Sequence, residues 1–191
     1  MQLHSMLRRM KQAGCEYVVL EASSHAIDQN RLAGCSFECG IFTNLTQDHL
    51  DYHKTMENYF AAKRKLFYSC KSAVFNLDDA YGRRLAEDPE FAGKGRTFSL
   101  ELDEADYTAK NIEYAAAYSR FAFVGSQQIA RVKLPMPGRF SVANAMGAMA
   151  ACLQLGLELE EIAAALADCT GVPGRAEVLP TDTDYTIIRD Y

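Results

Sequence analysis

The sequence predicts an α/β fold with a mostly parallel sheet flanked by helices and a small antiparallel β appendage. Before residue 105, short apolar runs alternate with segments of helical periodicity, an order typical of a parallel sheet covered by helices. After residue 105, three apolar runs follow one another with only short turns between them, which is typical of antiparallel strands. This change of pattern is the only internal boundary that the sequence suggests.

The first element is a helix over residues 2–13, where apolar residues recur at helical spacing and Gly14 provides a stop signal. Apolar runs and helical periods then predict, in order, strands at 17–22 and 40–45, a helix at 55–68, a strand at 73–77, a helix at 79–87 and a strand at 96–100. The three consecutive strands cover 107–114, 117–124 and 128–134. A helix through 142–153 that Gly156 ends, a helix at 158–167 and a strand-like run at 186–191 complete the chain.

Composition limits the class of protein. Hydrophobic residues make up 49% of the 191 residues and the net charge is -5, so a packed core is expected. No block of lysine and arginine stands out, which excludes a nucleic-acid partner. Six scattered cysteines, the lack of a secretory signal and the lack of a long apolar stretch predict a soluble intracellular protein with reduced thiols.

Histidines and acids cluster between residues 21 and 53. His25, His49 and His53 share this segment with four carboxylates, Glu21, Asp28, Asp48 and Asp51. Glu21 closes one predicted strand and residues 48–53 follow the next, so both should lie at the carboxyl ends of strands, where open parallel sheets bind ligands. Two interpretations are equally open at this point. The cluster is either a metal or charged-ligand site or a set of solvent-exposed polar residues in loops.

Other chemistries are weaker fits. Zinc accepts histidine and cysteine, but Cys35 and Cys39 are separated by three residues and no second pair occurs, so core or edge cysteines are favoured. Ser23-Ser24-His25 lacks the glycine elbow of a serine hydrolase. No Gly-x-x-x-x-Gly-Lys-Ser/Thr occurs, so these residues encode no complete phosphate-binding loop.

Five strings of residues carry a resemblance to a known family. They are EASSH (21–25) followed by Gln29 and Arg31, FTNLTQDHLDYH (42–53), YFAAKRKLF (59–67), MPGRFSVANAMGA (136–148) and PGRAEVLP (173–180). In this order they resemble the Mur ligase family, and within it the MurE type that acts on UDP-N-acetylmuramoyl-dipeptide. The resemblance extends over essentially the whole chain and implies the family's central α/β ATPase domain, in part, over residues 1–180. Residues 181–191 would begin its C-terminal ligase domain.

The resemblance also implies roles for individual residues. Ser23, Gln29 and Arg31 would bind the UDP-muramoyl-peptide, and a guanidinium suits its carboxylate or phosphate oxygens. The family's magnesium positions match Glu21, His49 and Lys63, with His49 and Lys63 also counted as catalytic. Lys63 matches the lysine that carbon dioxide carbamylates, a change that turns a cation into an oxygen ligand for magnesium. Nearer the nucleotide, the matching residues are Asn144, Arg175 and Asp190; helix capping is the competing explanation for Asn144, which is predicted in a first helical turn.

The implied activity is an ATP-dependent ligation in peptidoglycan synthesis that adds diaminopimelate or lysine through an acyl phosphate, with Mg²⁺ and ATP as cofactors. The family's phosphate loop and its N-terminal and C-terminal domains lie outside these residues, so we expect no turnover by the chain alone and a need for those segments in trans. Two alternatives remain. One is a non-catalytic module that binds a UDP-sugar-peptide or a partner chain, and the other is a related cyanophycin or folylpolyglutamate-type ligase.

Overall fold

A computed structural model describes residues 2–182 and 184–190 and divides into two compact units. The first unit comprises residues 1–37 and 46–71, and the second comprises residues 38–45 and 72–191. Helices make up the regular structure of the first unit. They are α1 (Gln2–Gln12), α2 (Ser24–Asp28), α3 (Leu50–His53) and α4 (Met56–Tyr68). None of the helices described is long and apolar enough to cross a membrane.

Local signals explain where these helices begin and end. The Ser23 hydroxyl accepts a hydrogen bond from the Ala26 amide at 3.2 Å and caps α2, and Thr55 caps α4 in the same way. Gly14 has a φ of 83°, a conformation that glycine adopts without strain, and it ends α1. Helix α2 packs on α4, so the segment around residue 24 is fixed against the helix that carries Lys63.

The second unit contains the main sheet, with six strands in the order of the sequence. They are β1 (Phe37–Phe42), β2 (Cys70–Asn76), β3 (Gly95–Ser99), β4 (Tyr107–Tyr114), β5 (Ser119–Val124) and β6 (Ile129–Leu134). Strands β2, β3 and β4 pair in parallel, whereas β4, β5 and β6 pair antiparallel. A separate two-stranded antiparallel sheet joins β7 (Glu177–Leu179) to β8 (Ile187–Arg189).

Three helices accompany this sheet, α5 (Ala80–Ala86), α6 (Arg139–Gln154) and α7 (Leu159–Ala167). Half of the residues of helix α6 are buried, and most of these are small or apolar. It packs on β3, β4 and β5, and α7 packs on β6. The core between them contains Phe98, Phe123, Leu134, Met146 and Met149, all of them fully buried.

The α/β class is confirmed, and the predicted elements other than one strand occur close to their expected positions. The predicted antiparallel strands are present as β4, β5 and β6, and they continue the main sheet because β4 also pairs with β3. The predicted buried strand at 17–22 is wrong. Residues 17–22 form no strand, and Tyr17 and Val19 are 73% and 97% exposed. A strand requires a hydrogen-bonded neighbour, and no residue that the structure describes pairs with this segment.

Candidate functional site

Five aromatic rings of the first unit lie close together, on α2, α3, α4 and the residue that precedes α3. They belong to His25, His49, Tyr52, His53 and Tyr59. The His25 ring lies 4.9 Å from that of His49 and 4.3 Å from that of Tyr52. The three histidines that cluster in the sequence are therefore brought together in space.

His53 lies at the base of this cluster and is 5% exposed. Its ring stacks on Tyr59 with 4.9 Å between centroids and an interplanar angle of 10°, and its Nε2 is 2.9 Å from the buried Ser24 hydroxyl. Burial lowers the pKa of His53, and the neighbouring His25 adds to this effect. Neutral His53 therefore contacts α2 through Ser24 and α4 through Tyr59.

His49 has an unusual backbone conformation. Its φ is 53°, in the left-handed region that residues other than glycine rarely adopt. The side chain of Asp48 supports it, accepting a hydrogen bond from the His49 amide at 2.8 Å and lying 3.5 Å from His49 Nε2. Such conformations often mark functional positions, because the surrounding structure must hold them in place.

Lys63 is half-buried on α4, one helical turn after Tyr59. Its Nζ lies 5.7 Å from the centroid of the Tyr59 ring, and the His49 ring lies 6.0 Å from the same ring. Burial lowers the pKa of Lys63, while the negative charge of Glu21 acts in the opposite direction. His49 and Lys63 therefore both lie near the Tyr59 ring, and Glu21 is close enough for its charge to act on Lys63. The Lys63 amine loses its proton more readily than an exposed lysine.

The predicted substrate residues lie at the ends of α2, where Ser23 is the N-cap and Gln29 the C-cap, with Arg31 two residues further on. Arg31 donates from Nε and from a terminal nitrogen to the Gln29 side-chain oxygen, at 3.0 and 2.6 Å. The two residues are thus brought together, and both are exposed. The Ser23 hydroxyl accepts the α2 capping bond but keeps its own hydrogen available for donation.

The donor set fits magnesium only if Lys63 is modified. Glu21 offers a carboxylate and His49 an imidazole, but a protonated lysine would repel a divalent cation. A carbamate on Lys63 would replace this charge with the oxygen donors that magnesium prefers. No group of three or more histidine, cysteine, aspartate and glutamate side chains is arranged to hold a metal in the part of the chain that the structure describes.

The three residues expected near the nucleotide belong to the second unit. Asp190 accepts a hydrogen bond at 3.2 Å from the amide of Ala176, the residue that follows Arg175, so these two predicted positions are near each other in the β7–β8 segment. Asn144 lies on α6, six residues into the helix, and is exposed. Its expected position in the first helical turn is wrong, because α6 begins at Arg139 after Gly138. Helix capping therefore does not explain Asn144.

Sequence reasoning missed Tyr59 as the residue between His49 and Lys63. The available signal was its spacing, since residues four apart on a helix share a face. It also missed the polar contacts of Asp28, which accepts from Lys65 at 2.8 Å and from the Tyr52 hydroxyl at 3.0 Å. These bonds link residues 24 and 37 positions apart, which no local pattern reveals.

Comparison with known proteins identifies the family. Residues 1–152 match the Mur ligase middle domain. The UDP-N-acetylmuramoyl-L-alanyl-D-glutamate--2,6-diaminopimelate ligase of Synechococcus elongatus is 44% identical over 99% of this chain. A ligase of the same name, numbered 1, from Clostridium acetobutylicum is 39% identical over the whole chain. This chain spans 38% and 39% of their lengths.

A solved structure of a protein with the same ligase name superimposes with a TM-score of 0.86. It is 37% identical, and the match covers 95% of this chain and 38% of that one. The MurC ligase of Thermotoga maritima is more distant, with a TM-score of 0.67 and 25% identity over 81% of this chain. The chain belongs to the Mur ligase family.

Proposed function

We propose that this chain is part of an ATP-dependent ligase of peptidoglycan synthesis that joins 2,6-diaminopimelate to UDP-N-acetylmuramoyl-L-alanyl-D-glutamate. The relatives that carry this ligase name align with essentially all of the 191 residues. They are more than twice as long as this chain, so the complete activity is a proposal about the whole ligase. Within that ligase, these 191 residues would hold the substrate carboxylate and the magnesium ion.

The proposed reaction has two steps. An oxygen of the substrate carboxylate attacks the γ-phosphorus of ATP, which forms an acyl phosphate and releases ADP. The amine of diaminopimelate then attacks the acyl carbon, loses a proton, and displaces inorganic phosphate. Both reactants of the first step are anions, so the site must supply positive charge and fix their orientation.

The Arg31 guanidinium would supply part of that charge. It is held at Gln29 through two donors, which fixes its plane and leaves its remaining N–H groups for substrate oxygens. Ser23 would donate its hydroxyl hydrogen beside it. These groups bind and orient the sugar-nucleotide peptide, so their loss should weaken binding before it affects the chemical step.

Glu21, His49 and a carbamylated Lys63 would hold magnesium, which neutralises the charge that develops on transferring phosphoryl oxygens. Carbamylation begins when a neutral amine attacks the carbon of carbon dioxide and then loses a proton. The observation that carries the proposal is the setting of Lys63, half-buried beside Tyr59 with a lowered pKa. Burial thus favours the amine form that reacts with carbon dioxide.

Substrate binding tests the proposal directly. Isothermal titration of UDP-N-acetylmuramoyl-L-alanyl-D-glutamate into the chain should show saturable binding. Replacing Arg31 with alanine should weaken it by about tenfold or more, since a charge-assisted hydrogen bond contributes roughly 1.5–3 kcal/mol. Arg9→Ala, at an exposed position of α1, should leave affinity unchanged. No binding, or equal loss in both variants, would contradict the proposed substrate site.

Product formation tests the chemistry. The remaining segments of the Synechococcus elongatus relative would be supplied in trans, and the ligated product would be detected by mass spectrometry. Lys63→Ala should abolish the product, and short carboxylic acids should restore part of it by replacing the carbamate. Substrate binding without product in any combination would favour the alternative of a non-catalytic binding module.

A further inference from the structure

The outer face of β4, β5 and β6 collects basic side chains. The inner face of these strands packs on α6 and α7, and its large residues are buried. On the opposite face the strand register pairs Arg120 with Lys133, and Ala122 with Arg131 on one side and Lys110 on the other. Four cations from three strands therefore surround a single alanine.

These four cations differ in the side chains with which they interact. Lys110 pairs with Asp103, and Arg120 lies 3.8 Å from Glu113 and 4.7 Å from the centroid of the Tyr118 ring. Lys133 lies over the same ring at 5.7 Å.

Arg131 differs from its three neighbours, because its guanidinium makes no hydrogen bond, ion pair or aromatic-ring contact with any residue in 2–182 or 184–190. Since like charges directly opposite one another destabilise a sheet, the arrangement requires a reason. Protection of an exposed edge could explain basic residues on β6, but not Arg120, because β5 lies between two strands.

The same face is concave. A groove of about 440 Å³ is lined by Asn111, Arg120, Ala122, Arg131 and Lys133, together with parts of Phe121 and Val132. Beside it, β4 has a register shift between Lys110 and Glu113, and Asn111 has a φ of 52°. Bulges of this kind change the direction of a strand and recur next to binding sites. The small Ala122 leaves the space between the cations open.

We propose that this groove binds a small ligand that carries two or more oxyanion groups, phosphate or carboxylate, with Arg131 as its principal contact. The volume lies within the range of small-molecule sites. Two guanidiniums and an ammonium provide paired and single donors that match such oxygens. All of these residues belong to the second compact unit, whereas Glu21, His49 and Lys63 belong to the first, so the inference does not rest on the proposed ligase function.

Amide chemical shifts of the whole chain, recorded during titration with tripolyphosphate and separately with citrate, test this inference. Sodium chloride at matched ionic strength provides the screening control. We expect saturable shifts at Ala122 and along β5 and β6 with at least one probe. A response to tripolyphosphate alone would identify a phosphate ligand, and a response to citrate alone a carboxylate ligand. No saturable shift on these strands with either probe would overturn the inference.

Three variants sharpen the test. Arg131→Gln should weaken binding by about tenfold, the loss of one charge-assisted contact. Arg96→Gln removes an equal charge from an exposed position of β3 outside the groove and should bind as the wild type does. Ala122→Phe keeps every charge but fills the space and should abolish binding. Equal weakening in both arginine variants, or unchanged binding in Ala122→Phe, would show diffuse attraction and overturn the site.

Discussion

Lys63 illustrates how a few neighbours change the chemistry of one side chain. Its amine is half-buried near the face of Tyr59, which shields it from water, and the charge of Glu21 only partly offsets that burial. A lysine in this setting is more easily deprotonated and therefore more nucleophilic than a solvated one. The sequence alone indicates a basic residue on a helix, whereas its environment indicates a reactive amine.

The modification of Lys63 can be observed directly. In a buffer of ¹³C-labelled bicarbonate, we expect a carbamate carbon signal in the NMR spectrum of the chain. The signal should be absent from Lys63→Ala and present in Lys65→Ala, since Lys65 is an exposed lysine of the same helix. A signal of equal strength in Lys63→Ala would show that carbamylation occurs elsewhere.

His53 should make stability depend on pH. Because its pKa in the folded chain is below 6.5, the value in a free side chain, the unfolded chain binds its proton more readily. The stabilisation that neutral His53 provides is complete above about pH 6.5 and is lost as the pH falls through the folded pKa.

We therefore expect the thermal unfolding midpoint to fall between about pH 7.5 and pH 5.5. His53→Gln should start from a lower midpoint and show a smaller fall over this range, whereas His4→Gln should keep the slope of the wild type. A slope unchanged in His53→Gln would assign the dependence to other groups.

At the scale of elements, the N-terminus of α5 shows how closely the second unit is packed. Asp79 accepts hydrogen bonds from the amides of Tyr81 and Gly82 and also from the amide of Leu45, so one carboxylate caps the helix and fixes the segment after β1. Gly82 allows α5 to approach β2, because a Cβ atom there would lie 1.9 Å from the carbonyl oxygen of Asn76. This contact involves backbone, which cannot rotate away.

Gly82→Ala should therefore destabilise the chain. In an unconstrained helix the same change stabilises by about 1 kcal/mol, because alanine is the better helix former. Here we expect the free energy of unfolding to fall by roughly 1–3 kcal/mol, the usual effect of overpacking. Urea denaturation followed by circular dichroism measures the difference, and a stabilised variant would contradict the close approach of α5 to β2.

Element prediction succeeded where local signals were sufficient. Helix α4 begins after its threonine cap, and β2 contains the apolar run from which a strand was expected. Both elements are found near their predicted positions. The apolar run at 17–22 failed because hydrophobicity reports a tendency to be buried and cannot name the strand that would pair with it. The continuity of β3 with β4 could not be predicted either, since pairing across residues 100–106 depends on tertiary contacts.

Hydrogen exchange tests the difference between these two segments. The amides of residues 17–20 should exchange nearly as fast as in an unfolded peptide, because no described residue accepts their hydrogens. Those of Ala73 to Asn76, which lie in the pairing between β2 and β3, should be strongly protected. Similar protection in both segments would support the strand predicted at residues 17–22.

At the scale of the whole molecule, charge distribution is more informative than net charge. The chain carries a net charge of -5, and no block of basic residues is visible in the sequence. Nevertheless, alternation along β5 and β6 places Arg120, Arg131 and Lys133 on one face, since successive side chains of a strand point to opposite sides. In the candidate active site, the positions of the histidines along the sequence reveal the cluster, but only the fold places Tyr59 near both His49 and Lys63.

We propose above that Glu21, His49 and carbamylated Lys63 form one metal site. Manganese is a suitable probe, because it accepts the same ligands as magnesium and broadens the NMR signals of nearby nuclei. In bicarbonate buffer, substoichiometric Mn²⁺ should broaden the signals of Glu21, His49 and the Lys63 carbamate, and excess Mg²⁺ should reverse the effect. The broadening should disappear in Lys63→Ala and in buffer free of carbon dioxide. Broadening that persists in Lys63→Ala, or that affects other residues instead, would contradict this metal site.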